Sequence, residues 1–224
     1  MAMKAVRNLA LLCVVAAGQS PSAHATFING GFELPYLGNA SSVTFLSPPT
    51  IPGWKTTATD NKIEIWANNF LGVPAAAGTQ HAELNAFEVS TLYQDVTGIA
   101  AGSIVGFGFA HRGRLGLDTM AFTLTDLGSD GNLGGGNDTV LFTQLYVDGN
   151  SAWGSYSGTG IVALGNTVRF AFASISAAGG NSAIGNFLDM ADFGVGVGST
   201  VPEPTAILLV GTALAAVGWR RRNT

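Results

Sequence analysis

The densest group of side chains able to do chemistry lies in one short segment. Residues 111–118 contain a histidine, two arginines and an aspartate: His111, Arg112, Arg114 and Asp118. A guanidinium donates paired hydrogen bonds to oxygen atoms, and an aspartate accepts them. The segment predicts a polar ligand site in which Arg112 or Arg114 grips the ligand and Asp118 accepts hydrogen bonds. A second interpretation stays open, in which Arg114 and Asp118 pair across a turn between two strands.

Aromatic rings offer a second kind of contact, because their apolar faces suit the C–H groups of sugar rings. Trp66 ends the alternating segment 62–66, with Ile63 and Ile65 on the opposite face, which predicts an exposed ring. Trp54, Tyr93 and Trp153 are further candidates, although core packing is the default for each aromatic residue.

The sequence argues against catalysis. Beyond the first 25 residues, two histidines remain, His81 and His111, and no cysteine. There is no Gly-x-Ser-x-Gly segment, and His81 lacks the second histidine of a zinc helix. Glu64 and Glu83 could form a glycosidase pair, but nothing distinguishes them from the other acidic residues. We predict a protein that is not an enzyme, with a glycosidase as the least favoured alternative.

The elements that carry these residues read as short strands. Period-two alternation recurs at residues 62–66, 105–111, 120–124 and 168–172, between clusters of Gly, Asn, Pro and Asp. No segment among them has a sustained helical period. This pattern predicts an all-β domain, an antiparallel β-sandwich or jelly roll, over residues 26–200. The acidic, Gly-rich segment 126–138 lacks EF-hand spacing and predicts a hairpin loop rather than an ion site.

Both ends of the chain differ from this domain. Residues 1–25 combine Lys4 and Arg7, an apolar run and an Ala-x-Ala site, which predicts a secretory signal peptide. Residues 201–224 contain three parts, which are Pro202, Glu203 and Pro204, an uncharged stretch at 205–219, and Arg220, Arg221 and Arg222. The stretch predicts one transmembrane helix, and the arginines predict a cytoplasmic C-terminus. A permanent tail anchor is the alternative to a processed segment.

This C-terminal layout resembles the PEP-CTERM sorting signal of Gram-negative bacteria. The resemblance implies export by the Sec machinery, an inner-membrane-anchored precursor and recognition by an exosortase. The exosortase would cut at or near the Pro-Glu-Pro segment and deliver the domain to the cell surface or extracellular matrix. Such proteins are linked to exopolysaccharide and biofilm.

The order of motifs between Asn29 and Phe193 resembles galactose-binding-like jelly-roll modules, including carbohydrate-binding and DUF642-like groups. It begins with Asn-Gly-Gly-Phe-Glu at 29–33 and ends with Asp-Met-Ala-Asp-Phe at 189–193. The resemblance implies one structural calcium ion, with Glu33 and Asp189 as ligands. Met190 departs from the family pattern, which has a second aspartate there. The alternative is that both carboxylates bind turn amides.

Charge narrows the class of ligand. Five of the 10 Lys and Arg residues and one of the 14 Asp and Glu residues lie in the two ends, so residues 26–200 carry a net charge of about −8. This composition excludes a basic nucleic-acid surface. We therefore expect an exported, non-catalytic surface protein that binds polysaccharide. A structural or adhesive matrix protein without a defined small ligand is the alternative.

Overall fold

The computed structural model describes residues 27–38, 42–165 and 167–195. The predicted signal peptide and the predicted sorting segment lie outside these residues. Among the described residues, no helix has the length and apolar character needed to span a membrane.

The described chain forms two antiparallel sheets. The strands, in chain order, are β1 Val43–Leu46, β2 Lys55–Thr56, β3 Ile63–Ala67, β4 Gln80–Glu83, β5 Thr91–Thr97, β6 Ile104–Arg112, β7 Asp118–Asp126, β8 Thr139–Asp148, β9 Gly154–Val162, β10 Thr167–Ser176 and β11 Phe187–Val195. One 3₁₀ turn, Pro48–Thr50, precedes β2. A six-stranded sheet has the order β1-β3-β4-β11-β6-β9, and a five-stranded sheet has the order β2-β5-β10-β7-β8.

The strand order confirms the predicted sandwich. From β4 to β7, and again from β8 to β11, consecutive strands alternate between the two sheets. Strands that are neighbours in a sheet are therefore often distant in sequence, as in a jelly roll. Every strand pair is antiparallel.

The main core lies between the sheets and is built by the alternation seen in the sequence. In β7, Met120, Phe122 and Leu124 are buried while the residues between them are half-buried. Phe122 packs against Phe107 of the facing sheet, with ring centroids 4.5 Å apart, and against Phe170 of its own sheet at 4.8 Å. These aromatic contacts stabilise the sandwich through buried apolar area and ring geometry.

A second, smaller core covers part of the outer face of the six-stranded sheet. Trp66, Val73 and Phe187 are buried there, with Phe70 and Trp153 packed against them. The loop between β3 and β4 supplies Phe70 and Val73, so this loop lies over the sheet. The predicted exposure of Trp66 is therefore wrong, because the ring is only 1% exposed. Alternation placed Trp66 on the outer face, but the loop covers that face.

Candidate functional site

Trp66 of this second core forms, with Glu83 and Arg114, a group that we call the covered triad. Arg114 Nη1 donates to both carboxylate oxygens of Glu83, at 3.0 and 2.9 Å. Its guanidinium carbon lies 4.6 Å from the centroid of the Trp66 ring. The Trp66 indole N–H donates in turn to Glu64 Oε1 at 2.7 Å.

Two carboxyl groups face each other in this region. Glu64 in β3 is the direct cross-strand partner of Glu83 in β4, and the two carboxyl groups share a hydrogen bond. Burial and the neighbouring charge of Glu83 raise the pKa of Glu64 to about 9. Burial also raises the pKa of Glu83 to about 7, against the opposing effects of the Gly185 N–H and of Arg114. Glu64 is 3% exposed and Glu83 0%, so no substrate can reach the pair as it stands. A glycosidase pair requires contact with its substrate.

His111 lies in a buried hydrogen-bond network. Its Nδ1 is 2.7 Å from Asp148 Oδ2, and its Nε2 is 2.9 Å from Asn186 Oδ1. Tyr156 Oη donates to the same Asp148 carboxylate. Burial raises the pKa of Asp148, but the hydrogen bonds from His111 and Tyr156 outweigh it, so the pKa is lowered.

Arg112, the next residue in β6, binds the loop between β8 and β9. Its Nη2 donates to the Asn150 carbonyl oxygen at 2.5 Å, while its buried Nε has no partner among the described residues. Desolvation lowers the pKa of Arg112. Desolvation, together with the charge of Arg112, also lowers the pKa of His81 to about 3, so His81 is neutral at physiological pH.

Asp118 anchors three backbone segments. Its Oδ2 accepts the N–H groups of Arg114 and Asn186, and its Oδ1 accepts that of Ala178. Arg114 and Asp118 thus meet across the predicted turn, but through the backbone of Arg114. The Arg114 guanidinium itself binds Glu83.

The structure thus brings the sequence-predicted ligand residues to one end of the sandwich. Trp66, His111, Arg112 and Asp118 are buried, and 20% of the Arg114 side chain is exposed. Each of the five has partners within the protein. Direct contact of these residues with a ligand stays a prediction.

Glu33 and Asp189, the predicted calcium ligands, converge on the loop between β3 and β4. Glu33 Oε1 accepts the N–H groups of Thr79 and Gln80, and Asp189 Oδ2 accepts those of Ala76 and Ala77. Burial raises the pKa of Asp189 to about 7, and the negative charge of Glu33 contributes. The two carboxylates are therefore close enough to repel each other, which a cation would relieve.

The same contacts also support the alternative in which both carboxylates bind turn amides. Calcium takes six to eight oxygen ligands, whereas no group of three or more potential metal-binding side chains occurs in residues 27–38, 42–165 and 167–195. Asp192, the next acidic residue after Asp189, does not supply a third ligand, since it lies beyond a bulge in β11 and is exposed.

The acidic segment 126–138 is a hairpin loop between β7 and β8, as predicted. Its carboxylates accept backbone N–H groups: Asp126 accepts from Gly128, Asp130 from Asn132 and Asp138 from Gly134. The first two bonds, from the N–H two residues further on, are Asx turns, whereas Asp138 reaches back to Gly134 across the loop.

The outer face of the five-stranded sheet is open and carries a second group, the open triad: Asp95, Arg169 and Tyr93. Arg169 donates to both Asp95 oxygens, at 2.7 and 3.0 Å, and lies 3.9 Å from the Tyr93 centroid. Lys55 donates to the same carboxylate at 3.0 Å. Burial raises the pKa of Asp95, but the hydrogen bonds from Arg169 and Lys55 outweigh it and lower the pKa.

A flat row of small and hydroxylated residues continues from this triad. Across the strands, Lys55 pairs with Tyr93, Tyr93 with Ala171, Ala171 with Thr123 and Thr123 with Thr143. The Thr123 and Thr143 hydroxyls lie 3.1 Å apart. Of this face, sequence reasoning found Tyr93 alone. Alternation in β5 places Asp95 on the same side of its strand as Tyr93, and alternation in β10 places Arg169 on the same side as Ala171. Whether Asp95 and Arg169 face each other depends on the register between these two strands.

The described strands form a β-sandwich domain, and a sorting motif follows this domain in the sequence. Residues 200–222 match the PEP-CTERM protein-sorting motif. No curated protein matches the sequence.

Solved structures with a similar chain path include carbohydrate-binding modules. TmCBM61 in complex with β-1,4-galactotriose is 16% identical, with a TM-score of 0.47 over 76% of this chain and 98% of that chain. The CBM22-2 xylan-binding domain of Paenibacillus barcinonensis Xyn10C is 11% identical, with a TM-score of 0.43 over 70% and 99% of the two chains.

Proposed function

We propose that this chain is an exported, non-catalytic surface protein that binds polysaccharide through the outer face of its five-stranded sheet. The observation that carries the proposal is the row from Tyr93 to Thr143, which crosses four strands and whose members are half-buried or exposed. A row that runs across several strands suits an extended polymer better than a small molecule, which favours an enclosed pocket.

The chemistry of this row supports a neutral glycan. Ala171 and Thr123 leave room for a sugar ring to approach the sheet, and the threonine hydroxyls can both donate and accept hydrogen bonds. Arg169 is held by Asp95, so its remaining N–H groups are already positioned to donate. Contacts of this kind are individually weak, and display of many copies on a surface would raise the avidity.

Retention of the full-length protein on immobilised polysaccharides, including the producer's exopolysaccharide, tests this proposal. Thr123→Arg places a long charged side chain in the middle of the row and is expected to abolish retention. Thr159→Arg is the matched control, since Thr159 is exposed on β9 of the other sheet. A wild-type protein that is retained by no polysaccharide, or variants that behave alike, would contradict the proposal.

The match at residues 200–222 supports sorting by an exosortase. In this proposal Pro202, Glu203 and Pro204 mark the processing region, the segment 205–219 holds the precursor in the inner membrane, and Arg220, Arg221 and Arg222 stay in the cytoplasm. Mass spectrometry of the surface form is expected to show loss of the C-terminal segment. A full-length surface form would support the permanent tail anchor.

An adhesive matrix role is the second candidate, favoured by the edge strand β8. This strand closes the five-stranded sheet and exposes Val140, Leu145 and Val147, each by more than half. Exposed apolar edge strands are templates for pairing with another chain. Light scattering that shows concentration-dependent assembly without glycan, lost in Leu145→Lys, would support this role. A monomer at all concentrations would exclude it.

The structural calcium ion also remains a proposal. Its support is the convergence of Glu33 and Asp189 on the loop between β3 and β4, together with the oxygen chemistry that calcium requires. When bound, the ion would neutralise both carboxylates beside the loop that covers the six-stranded sheet.

A further inference from the structure

The chain leaves the sandwich beside a group of exposed aliphatic side chains. Val195, the last residue of β11, pairs with Val105 of β6, and the neighbouring β6 residue, Ile104, pairs with Val162 of β9. Leu164 follows two residues after Val162. Ile104, Val162, Leu164 and Val195 are each between 46% and 55% exposed, and we call these four residues the exit patch.

Hydrogen bonds between two loops hold the exit patch in place. The Gly102 N–H, before β6, donates to the Ala163 carbonyl oxygen at 2.8 Å, and the Ala163 N–H, after β9, donates to the Ser103 carbonyl oxygen at 3.0 Å. The Leu164 N–H donates to Oδ2 of the buried Asp126 at 3.1 Å. The backbone that carries Ile104, Val162 and Leu164 is therefore fixed while their side chains face outward.

The exit patch lies in an uncharged part of an acidic domain. Residues 98–104 and 162–165 contain no ionisable side chain, whereas residues 26–200 carry a net charge of about −8. The acidic hairpin at 126–138 lies at the same end of the sandwich but joins strands of the other sheet. Because an anionic lipid surface repels an acidic protein, this corner can approach a bilayer at the least electrostatic cost.

The connection from the patch to the predicted membrane segment is short. Nine residues, 196–204, separate Val195 from Thr205, where the uncharged stretch begins. Fully extended, they span at most ~35 Å, which is about the length of one strand of the sandwich. An anchored precursor therefore keeps the exit patch within this distance of the bilayer, and a tether of this length raises the local concentration of the patch at the lipid surface.

We propose that the exit patch rests on the lipid surface of the inner membrane in the anchored precursor. This inference rests on the proposed anchoring by segment 205–219. Burial of the four aliphatic side chains in the interfacial region supplies the favourable free energy. The contact holds the Pro-Glu-Pro segment at 202–204 close to the bilayer, where a membrane peptidase can reach it. Four side chains give a weak, reversible contact, so the processed domain leaves the surface.

The test uses the exported precursor with its sorting segment intact, reconstituted in vesicles of phosphatidylethanolamine and phosphatidylglycerol. Cys13, the only cysteine, lies in the predicted signal peptide, so an introduced cysteine is the single labelling site. Leu164→Cys carries a polarity-sensitive fluorophore at the patch. Leu117→Cys is the matched control, since Leu117 is a more exposed leucine in the loop between β6 and β7, at the opposite end. We expect a blue shift and quenching by nitroxide-labelled lipid at position 164 and neither at position 117.

A charge placed in the patch is expected to remove the contact. Ile104→Asp, added to the labelled Leu164→Cys protein, is expected to abolish the blue shift and the quenching. Ile175→Asp is the matched control, since Ile175 is an equally exposed isoleucine near the opposite end of the sandwich, and it is expected to change neither signal. The comparison of positions 164 and 117 decides the question if Ile104→Asp unfolds.

Vesicle flotation separates failure of this inference from failure of the anchoring. Protein that does not float with the vesicles contradicts the anchoring and overturns this inference with it. Protein that floats but gives the same emission at both positions overturns this inference alone. A blue shift at position 164 that grows with the protein density in the vesicles assigns the patch to a second copy of the chain, which also overturns it.

Discussion

The covered triad and the open triad are built from the same parts in different surroundings. Each has an arginine that binds both oxygens of a carboxylate and lies over an aromatic ring. Yet the pKa of Glu83 is raised to about 7, whereas that of Asp95 is lowered.

Solvent and the neighbouring charges account for the difference. Glu83 is fully buried and faces a second carboxyl group, Glu64, so one arginine cannot offset the cost of its negative charge. The Asp95 side chain is 15% exposed and has two cationic partners, Arg169 and Lys55. The two triads therefore differ in the carboxylate, which is fully buried in one and partly exposed in the other, whereas the arginine side chains are 20% exposed at Arg114 and 14% at Arg169.

The largest expected effect is a difference in the free energy of unfolding between variants of the two arginines. Arg114→Met leaves Glu83 buried and unpaired, and is expected to lower the free energy of unfolding by about 3–5 kcal/mol. Arg169→Met is the matched control with an expected loss of about 1 kcal/mol, because Asp95 keeps Lys55 and contact with water. Urea unfolding of both variants at pH 8 measures the difference. Equal losses would show that the two triads are equivalent.

The buried carboxyl pair predicts a pH dependence of stability. The pKa values of Glu64 and Glu83 are raised in the folded state, so their stabilising contribution is complete below the unfolded value of about 4.5. It is lost as the pH rises through about 7 for Glu83 and about 9 for Glu64. Where the folded state holds one extra proton, the slope is about 1.4 kcal/mol per pH unit.

Denaturant unfolding between pH 5 and pH 9 checks this dependence. Glu64→Gln keeps a neutral hydrogen-bonding side chain of similar size and is expected to reduce the slope. Glu88→Gln is the control, since Glu88 is only half-buried and its lowered pKa acts only in acid. An unchanged slope in Glu64→Gln would contradict the assignment.

Calcium binding would stabilise the loop that covers the six-stranded sheet. At a hundredfold excess over the dissociation constant, a single site adds about 2.7 kcal/mol to the free energy of unfolding. The thermal midpoint of the full-length protein, measured in EDTA and then in excess calcium, is expected to rise. The rise is expected to disappear in Glu33→Gln and to persist in Glu88→Gln. No rise would leave Glu33 and Asp189 as ligands of turn amides alone.

The smallest effect is expected at the exposed edge of the open triad. The Lys55 side chain is 54% exposed, so Lys55→Met is expected to change the free energy of unfolding by less than about 1 kcal/mol. Lys62→Met is the matched control. A loss as large as that of Arg114→Met would mean that the open triad is also part of the framework.

Much of the fold was predictable from local pattern. Period-two alternation in residues 105–111, 120–124 and 168–172 predicted strands that the structure contains within β6, β7 and β10. The same rule failed for Trp66, because alternation assigns a side chain to a face of a strand and carries no information about loops that cover that face.

The candidate site was less predictable, since it depends on long-range pairing. Asp95 and Arg169 come together through the register of β5 with β10, and Glu64 meets Glu83 through that of β3 with β4. The Arg114 guanidinium binds Glu83 rather than the nearby Asp118, because the Asp118 oxygens accept hydrogen bonds from backbone N–H groups.

The sequence by itself determined the class of fold and the sorting motif at residues 200–222, because alternation and a linear motif are local properties of the chain. Tertiary structure decided which residues of each sheet face are covered and which carboxyl groups have raised pKa values. These depend on which distant segments exclude water from a side chain, and burial and strand register exist only once the two sheets have packed.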